Sequence, residues 1–469
     1  MDCSTKTRPG ICHLPPAPPK LNPIAAPLNS LGMAARWVAF LAAVLITGTY
    51  AIASGMRLGS FFHMSDIVWY IHLASGKTDN VMQPFASRQL GPAVVRLLAW
   101  MLHWTVQSAF VLQGTASLIV MLGVVYFLMV RTSAPGWILA AVAVVPFWPQ
   151  LYYGLVLPDI WYAALISIFL LLLARRHFLA AACMMFPLMI SRESTSLTLV
   201  CLLIAGWRPL RWPGRLLALG SGLTGTLLVQ RLTAHNPGNI ERLPQSMYLL
   251  AKAPWNLLRN VLGISPWSNV DGYLCRVPMW QHNFHLGPLH AVGVCGFSLE
   301  QPRDSLGAAL TTFGLLPLLA VFLWTRSRRA GVRDTGNSGA EDRSLLIRFC
   351  LIYGGVSLLL APMLGAWATR LFGYSWPLSL VAVPLLFRGL GEAYGEALTA
   401  KKAAAAMVFL GLHLITCVLG FHGVSYTVAG VAVVLYFLGF AVLRWWFGPP
   451  VRRDGKRLQR NPQQAVSRA

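Results

Sequence analysis

Apolar residues fill this chain in runs of about 20, separated by short polar or basic connections, over residues 34–446. A helix of that length crosses the roughly 30 Å hydrocarbon core of a bilayer and satisfies its own backbone groups there. The pattern places spans near 35–55, 106–130, 136–154, 159–174, 178–191, 194–207, 215–232, 306–325, 346–366, 371–389, 404–420 and 426–446. The expected fold class is therefore all-α: a polytopic helical integral membrane protein with about 12 transmembrane helices. The stretch 178–207 is the exception to a simple reading. As one helix it would be about 45 Å long, with Arg192 and Glu193 buried midway. Arginines on both flanks require an even number of crossings, so two short helices meeting below the outer surface are expected.

Two connections are long. In 56–105 the pattern predicts two short amphipathic helices. One starts at Ser65 with Ile67, Ile71 and Ala74 on one face, and the other starts near Pro92 with Val94, Leu97, Leu98 and Met101 at helical spacing. The second connection, 233–304, is polar and carries Tyr248, Trp255, Trp267, Tyr273 and Trp280, residues suited to a headgroup layer or to stacking on a sugar ring. Both are read as outer-face loops carrying short amphipathic helices. The Pro-rich stretch 1–33 reads as a disordered cytoplasmic arm rather than a cleaved signal, and 447–469 as a basic cytoplasmic tail.

Composition agrees: 469 residues, 56% of them hydrophobic and only 11% charged. The net charge of +23 would ordinarily raise nucleic acid as a partner, but only seven of the 38 basic residues are Lys and the rest sit mainly in short connections and the tail. Basic clusters at Lys6/Arg8/Lys20, Arg131, Arg175/Arg176, Arg208/Arg211/Arg215, Arg326/Arg328/Arg329/Arg333, Lys401/Lys402 and Arg452/Arg453/Lys456/Arg457 fall on alternate connections. That is the positive-inside pattern, with both termini cytoplasmic and no nucleic-acid role. No phosphate-binding glycine loop or hydrolase motif occurs, which excludes ATP hydrolysis by the usual route.

Acids are scarce in the spans, so those at span ends are informative. Under this threading Asp66, Asp159 and Glu193 emerge on one face. An ionised group at membrane depth costs about 2.5–3.5 kcal/mol on insertion scales and usually marks a site. Each also has a plainer reading. Asp66 after Ser65, and Asp159 after Pro158, suit helix starts, and Glu193 suits pairing with Arg192. Arg88 and Arg370 fall outside, against the positive-inside rule. They are candidate ligands for a lipid phosphate, or else side chains reaching for headgroups. Of eight cysteines only Cys275 and Cys295 share the outer side, which makes them a disulfide candidate. His282, His285 and His290 lie between them at a spacing that matches no strong zinc pattern.

The order of features resembles the membrane-embedded glycosyltransferases of the GT-C superfamily, which use polyprenyl-phosphate sugars. The resembling pieces are Asp66-x-x-x-Tyr70, Pro84-Phe85-Ala86-Ser87-Arg88, Pro158-Asp159, Arg192-Glu193, and Arg370 with Tyr374 and Pro377. The resemblance implies a donor of sugar on polyprenyl phosphate and a glycan, lipid or protein acceptor, in a bacterial inner membrane. It implies Asp66, Asp159 and Glu193 as catalytic acids, with Asp66 as base. Arg88, Arg192, Arg370, Tyr70 and Tyr374 would be substrate-binding. A divalent cation, Mg or Mn, is the one cofactor it admits, with its ligands left open. Two departures stand out: Ile67 follows Asp66 where many such proteins carry a second acid, and no large soluble C-terminal domain follows the spans. The alternatives are a transporter or lipid-linked-glycan flippase, and a non-catalytic membrane subunit of an envelope-polymer assembly.

Overall fold

The computed structural model describes residues 32–59, 66–79, 81–132, 134–207, 209–236, 253–269, 275–286, 289–329, 338–364, 368–394, 400–421 and 425–447. Ser65, Tyr248, Tyr273, most of the N-terminal arm and nearly all of the C-terminal tail lie outside them. Among the described residues six helices are long and apolar enough to cross a membrane, or seven if one bent pair counts as a single span. Four shorter apolar helices accompany them. This is the helix set of a multi-pass membrane protein.

The chain runs through α1 (Met33–Arg57), α2 (Ile67–Ala74), α3 (Leu90–Leu102) and α4 (Val106–Arg131). Then follow α5 (Gly136–Ala143), α6 (Phe147–Tyr153), α7 (Pro158–Ala174), α8 (Phe178–Cys183), α9 (Met185–Ser191), α10 (Thr195–Ala205) and α11 (Trp212–Leu232). The second half holds α12 (Glu300–Thr311), α13 (Leu316–Arg329), α14 (Ser338–Leu364), α15 (Ala368–Gly373), α16 (Val383–Tyr394), α17 (Ala400–Phe421) and α18 (Tyr426–Phe447). Local chemistry sets several boundaries. The Thr105 hydroxyl accepts from the Ser108 N–H at 3.1 Å and starts α4. Pro158 occupies the first turn of α7, where a missing N–H costs nothing. α4 packs along α7, and α1 crosses α6. The stretch Arg370–Arg388 is almost wholly buried, so it runs through the middle of the bundle.

Two expected spans are interrupted, each for a visible reason. The 136–154 run breaks between α5 and α6 at Pro146, which cannot donate and pushes the preceding residue off helical angles. The 306–325 run becomes α12 and α13, bent by 62°. Gly314 sits in the bend at φ +50, and an added Cβ there would lie 2.6 Å from His413 Nδ1. The 371–389 run remains one span, Arg370–Arg388, with a turn after Gly373 and a π-helical stretch Pro377–Ala382 inside it. The stretch 178–207 does form short helices, with Arg192 extended at the break before α10.

The loops depart from expectation in two ways. α2 buries Ile67, Tyr70, Leu73 and Ala74 against the protein instead of lying free on a surface. The second long loop carries a short helical stretch over 253–262 as expected, and beyond it folds a three-stranded antiparallel sheet that was not expected. It contains β1 (Ile264–Ser268), β2 (Trp280–Leu286) and β3 (Leu289–Phe297) in the order β1-β3-β2. In β3 Val292 and Val294 alternate with Ala291, Gly293 and Cys295, a period of two that suits a strand. Cys275 and Cys295 are joined by a disulfide, with Cα atoms 5.8 Å apart.

Candidate functional site

Five separate pieces of backbone deliver the charged residues that the hydrophobic pattern left at span ends. Asp66 opens α2, and Tyr70 follows one turn later. Arg88 ends the short 3-10 helix Phe85–Ser87. That segment is tied to the broken helix by the Gln89 N–H, which donates to the Ile190 carbonyl at 3.1 Å. Phe85 packs its ring edge-on to Tyr70 and stacks on Trp69. Asp159 lies in the first turn of α7. Arg192 and Glu193 form the break between α9 and α10, and Arg370 and Tyr374 come from α15 and the turn after it.

The side chains meet as two linked ion-pair groups. Arg88 donates from Nε to Glu193 Oε2 at 3.1 Å, from Nη2 to Oε1 at 2.5 Å, and from Nη1 to the Tyr70 hydroxyl at 2.7 Å. Asp159 accepts from Arg192 Nη1 on one oxygen and from Arg370 Nε at 2.5 Å on the other. Arg370 Nη1 also faces Asp66 Oδ2 at 3.7 Å. The Arg192 guanidinium lies over the Tyr374 ring, 4.4 Å from its centre. Six formal charges, three of each sign, thus balance in one place.

Asp66 is the most exposed of the three acids. Its backbone stands at the start of α2, but its side chain makes no capping hydrogen bond, so the capping reading does not account for its carboxylate. It is 40% exposed, whereas Asp159 is 9% exposed and held on both oxygens. Arg88 lies outside the apolar helices. Burial is the largest influence on it and favours the neutral form. The Glu193 carboxylate and Tyr70 more than offset this and hold the guanidinium well above the usual arginine range. Its Nε, Nη1 and Nη2 each already have a partner within the protein.

An apolar cavity of about 250 Å³ adjoins the network. Leu58, Phe147, Leu151, Leu157 and Trp376 form much of its wall, and Asp159, Arg370 and Tyr374 also line it. Tyr374 Oη, Arg192 Nε and Ser194 Oγ are buried without a hydrogen-bond partner, which is uncommon inside a folded protein. None of the wall residues from α6 stood out in the sequence, because they look like ordinary span residues until the break at Pro146 turns them toward Arg370.

A divalent cation does not fit the two supporting acids in this arrangement. Both oxygens of Asp159 and of Glu193 are engaged by guanidiniums. Among the described residues no three His, Cys, Asp or Glu side chains gather as a metal-binding group. In the sheet, His282 stacks on Trp280, and His290 Nδ1 lies 3.0 Å from Asn269 Nδ2. No family model, curated protein or solved structure matches this chain.

Proposed function

We propose that this chain is a GT-C-like membrane glycosyltransferase. It moves a sugar from a polyprenyl-phosphate donor to a glycan, lipid or protein acceptor on the outer, periplasmic face of a bacterial inner membrane. The observation that carries the reading is the run Asp66, Arg370, Asp159 and Arg192 beside an apolar cavity. Buried ion pairs are weak contributors to stability and costly to desolvate, so charges assembled beside an apolar cavity point to a bound ligand of matching chemistry. A ligand with an apolar tail and an anionic head matches both halves.

In this reading the chain crosses twelve times with both termini cytoplasmic, the short helices of 178–207 supplying two of the crossings. The network then belongs to the outer side, and the Cys275–Cys295 disulfide is in keeping with an oxidising compartment there. The donor carries its own leaving group. The acceptor hydroxyl oxygen attacks the anomeric carbon, and its proton passes to Asp66. The bond from that carbon to the phosphate oxygen breaks with its electron pair, which stays on polyprenyl phosphate beside Arg370. Arg88 and Arg192 fix the supporting acids rather than the substrate.

Replacing Asp66 by Asn keeps the size and removes the base. Because the side chain makes no capping hydrogen bond and is 40% exposed, the variant should still fold. Transfer from a panel of polyprenyl-phosphate sugars by the purified variant should fall about a hundredfold or more. Wild-type transfer matched by Asp66→Asn would reject Asp66 as the base. A second reading, a lipid-linked-glycan flippase, is favoured by the interrupted helices at 144–146, 192–194 and 312–315. It predicts movement of an intact labelled lipid across proteoliposomes with no new glycosidic bond.

A further inference from the structure

Of the three arginines in the network, Arg370 is the one that lines the apolar cavity. Arg88 gives two bonds to Glu193 and one to Tyr70. Arg192 lies between Asp159 and the Tyr374 ring with its Nε buried and without a hydrogen-bond partner, and it is not part of the cavity wall. Arg370 differs. Its Nε is fixed on Asp159 at 2.5 Å, but its Nη1 faces the Asp66 carboxylate at 3.7 Å, beyond hydrogen-bond length. The same guanidinium lines the apolar cavity, together with Leu58, Phe147, Leu151 and Trp376. A planar fork that presents one outer edge beside an apolar hollow is built for an oxyanion attached to an apolar chain.

We propose that Asp66 occupies, on Arg370, the place of the ligand's anionic head, and that a lipid phosphate monoester displaces it. The inference rests on the glycosyltransferase reading for the identity of the lipid, but not for the exchange itself. A phosphate monoester carries about −1.5 to −2 charge at neutral pH and three acceptor oxygens, against one charge and two oxygens for the carboxylate. It therefore outcompetes a partner held at 3.7 Å, while Arg370 keeps its bond to Asp159 and stays in position. In the glycosyltransferase reading this monoester is the polyprenyl phosphate left when the sugar departs, so the exchange holds the product's head on Arg370 once Asp66 has taken the acceptor's proton. An empty site keeps its charge balanced, because Asp66 then faces Arg370.

The exchange makes a prediction opposite to that of a direct ligand. If Asp66 competes with the phosphate, Asp66→Asn should bind farnesyl phosphate on the order of tenfold more tightly than wild type, a difference of about 1.4 kcal/mol. Calorimetry on the full-length protein in nanodiscs reads this directly. Farnesol should bind both proteins alike, and Arg370→Lys, which keeps the charge but loses the fork, should lose the gain when combined with Asp66→Asn. Equal or weaker farnesyl phosphate binding by Asp66→Asn overturns the exchange, as does failure of both proteins to bind any anionic probe. A gain of the same size for phosphatidic acid upholds the exchange but marks a general lipid-phosphate site, which counts against the prenyl-carrier reading. Loss of transfer in Asp66→Asn without tighter binding upholds the glycosyltransferase reading and rejects the exchange.

Discussion

Asp66 and Asp159 are both aspartates at helix starts, yet they carry different loads. Asp159 is nearly sealed from solvent and balances Arg192 and Arg370 at once. Neutralising it leaves two buried guanidiniums short of a counter-charge, and breaking a buried pair in this way typically costs about 3–5 kcal/mol. Asp66 is far more exposed and sits at 3.7 Å from its cation, a kind of pair worth about 0–1 kcal/mol. Thermal unfolding in one detergent should therefore separate the two substitutions. Asp159→Asn should melt markedly lower than wild type, whereas Asp66→Asn should melt close to it. Equal shifts would contradict the division into a supporting acid and a reacting one. Sequence spacing singled out both residues but could not rank their burial, because burial depends on α15 arriving from over 200 positions away to supply Arg370.

At the scale of elements, the interrupted helices raise a question of satisfaction. Each break frees backbone groups, and in an apolar bundle these need partners. The bend between α12 and α13 is served by α17 and α18. His413 Nδ1 accepts from the Leu315 N–H at 3.0 Å, and Nε2–H donates to the Ala141 carbonyl at 2.9 Å, beside the α5–α6 break. Tyr436 donates to the Gly314 carbonyl at 2.7 Å. One imidazole thus closes two breaks, and the Phe147 N–H adds a bond to the Thr312 carbonyl between them. Since α6 supplies part of the cavity wall, His413 holds the cavity in shape from behind. His413→Leu leaves one buried donor and one buried acceptor unmet, at about 1–3 kcal/mol each. The variant should unfold at a clearly lower temperature in a ligand-free melt, and an unchanged midpoint would show that the breaks do not depend on the imidazole.

For the whole molecule the decisive property is sidedness, since every proposed role depends on which face the network meets. Cysteine placed at Val270 should react with an impermeant maleimide in intact cells, and at Thr335 only after permeabilisation. The reverse pattern would move the network to the cytoplasm and remove the lipid-linked donor. The helical membrane class, the positions of most apolar segments and the residues of the network were legible in the chain itself. Each depends on local quantities: run length, residue type and the cost of a charge at the end of an apolar run. The break at Arg192–Glu193 belongs with these, because arginines on both flanks demanded it. The sheet in the second long loop was not legible, since its short strands gain their pairing from one another and their alternation is brief. Nor were the partners. Arg88 and Arg370 looked equivalent until folding brought Glu193 and Tyr70 onto the fork of Arg88, and Asp159 and Asp66 to that of Arg370. Composition and periodicity determined that this protein lies in a membrane with charges at the ends of its spans. Only tertiary structure decided which charge cancels which, because an ion pair is set by distance in space and burial, and neither is a property of neighbours along the chain.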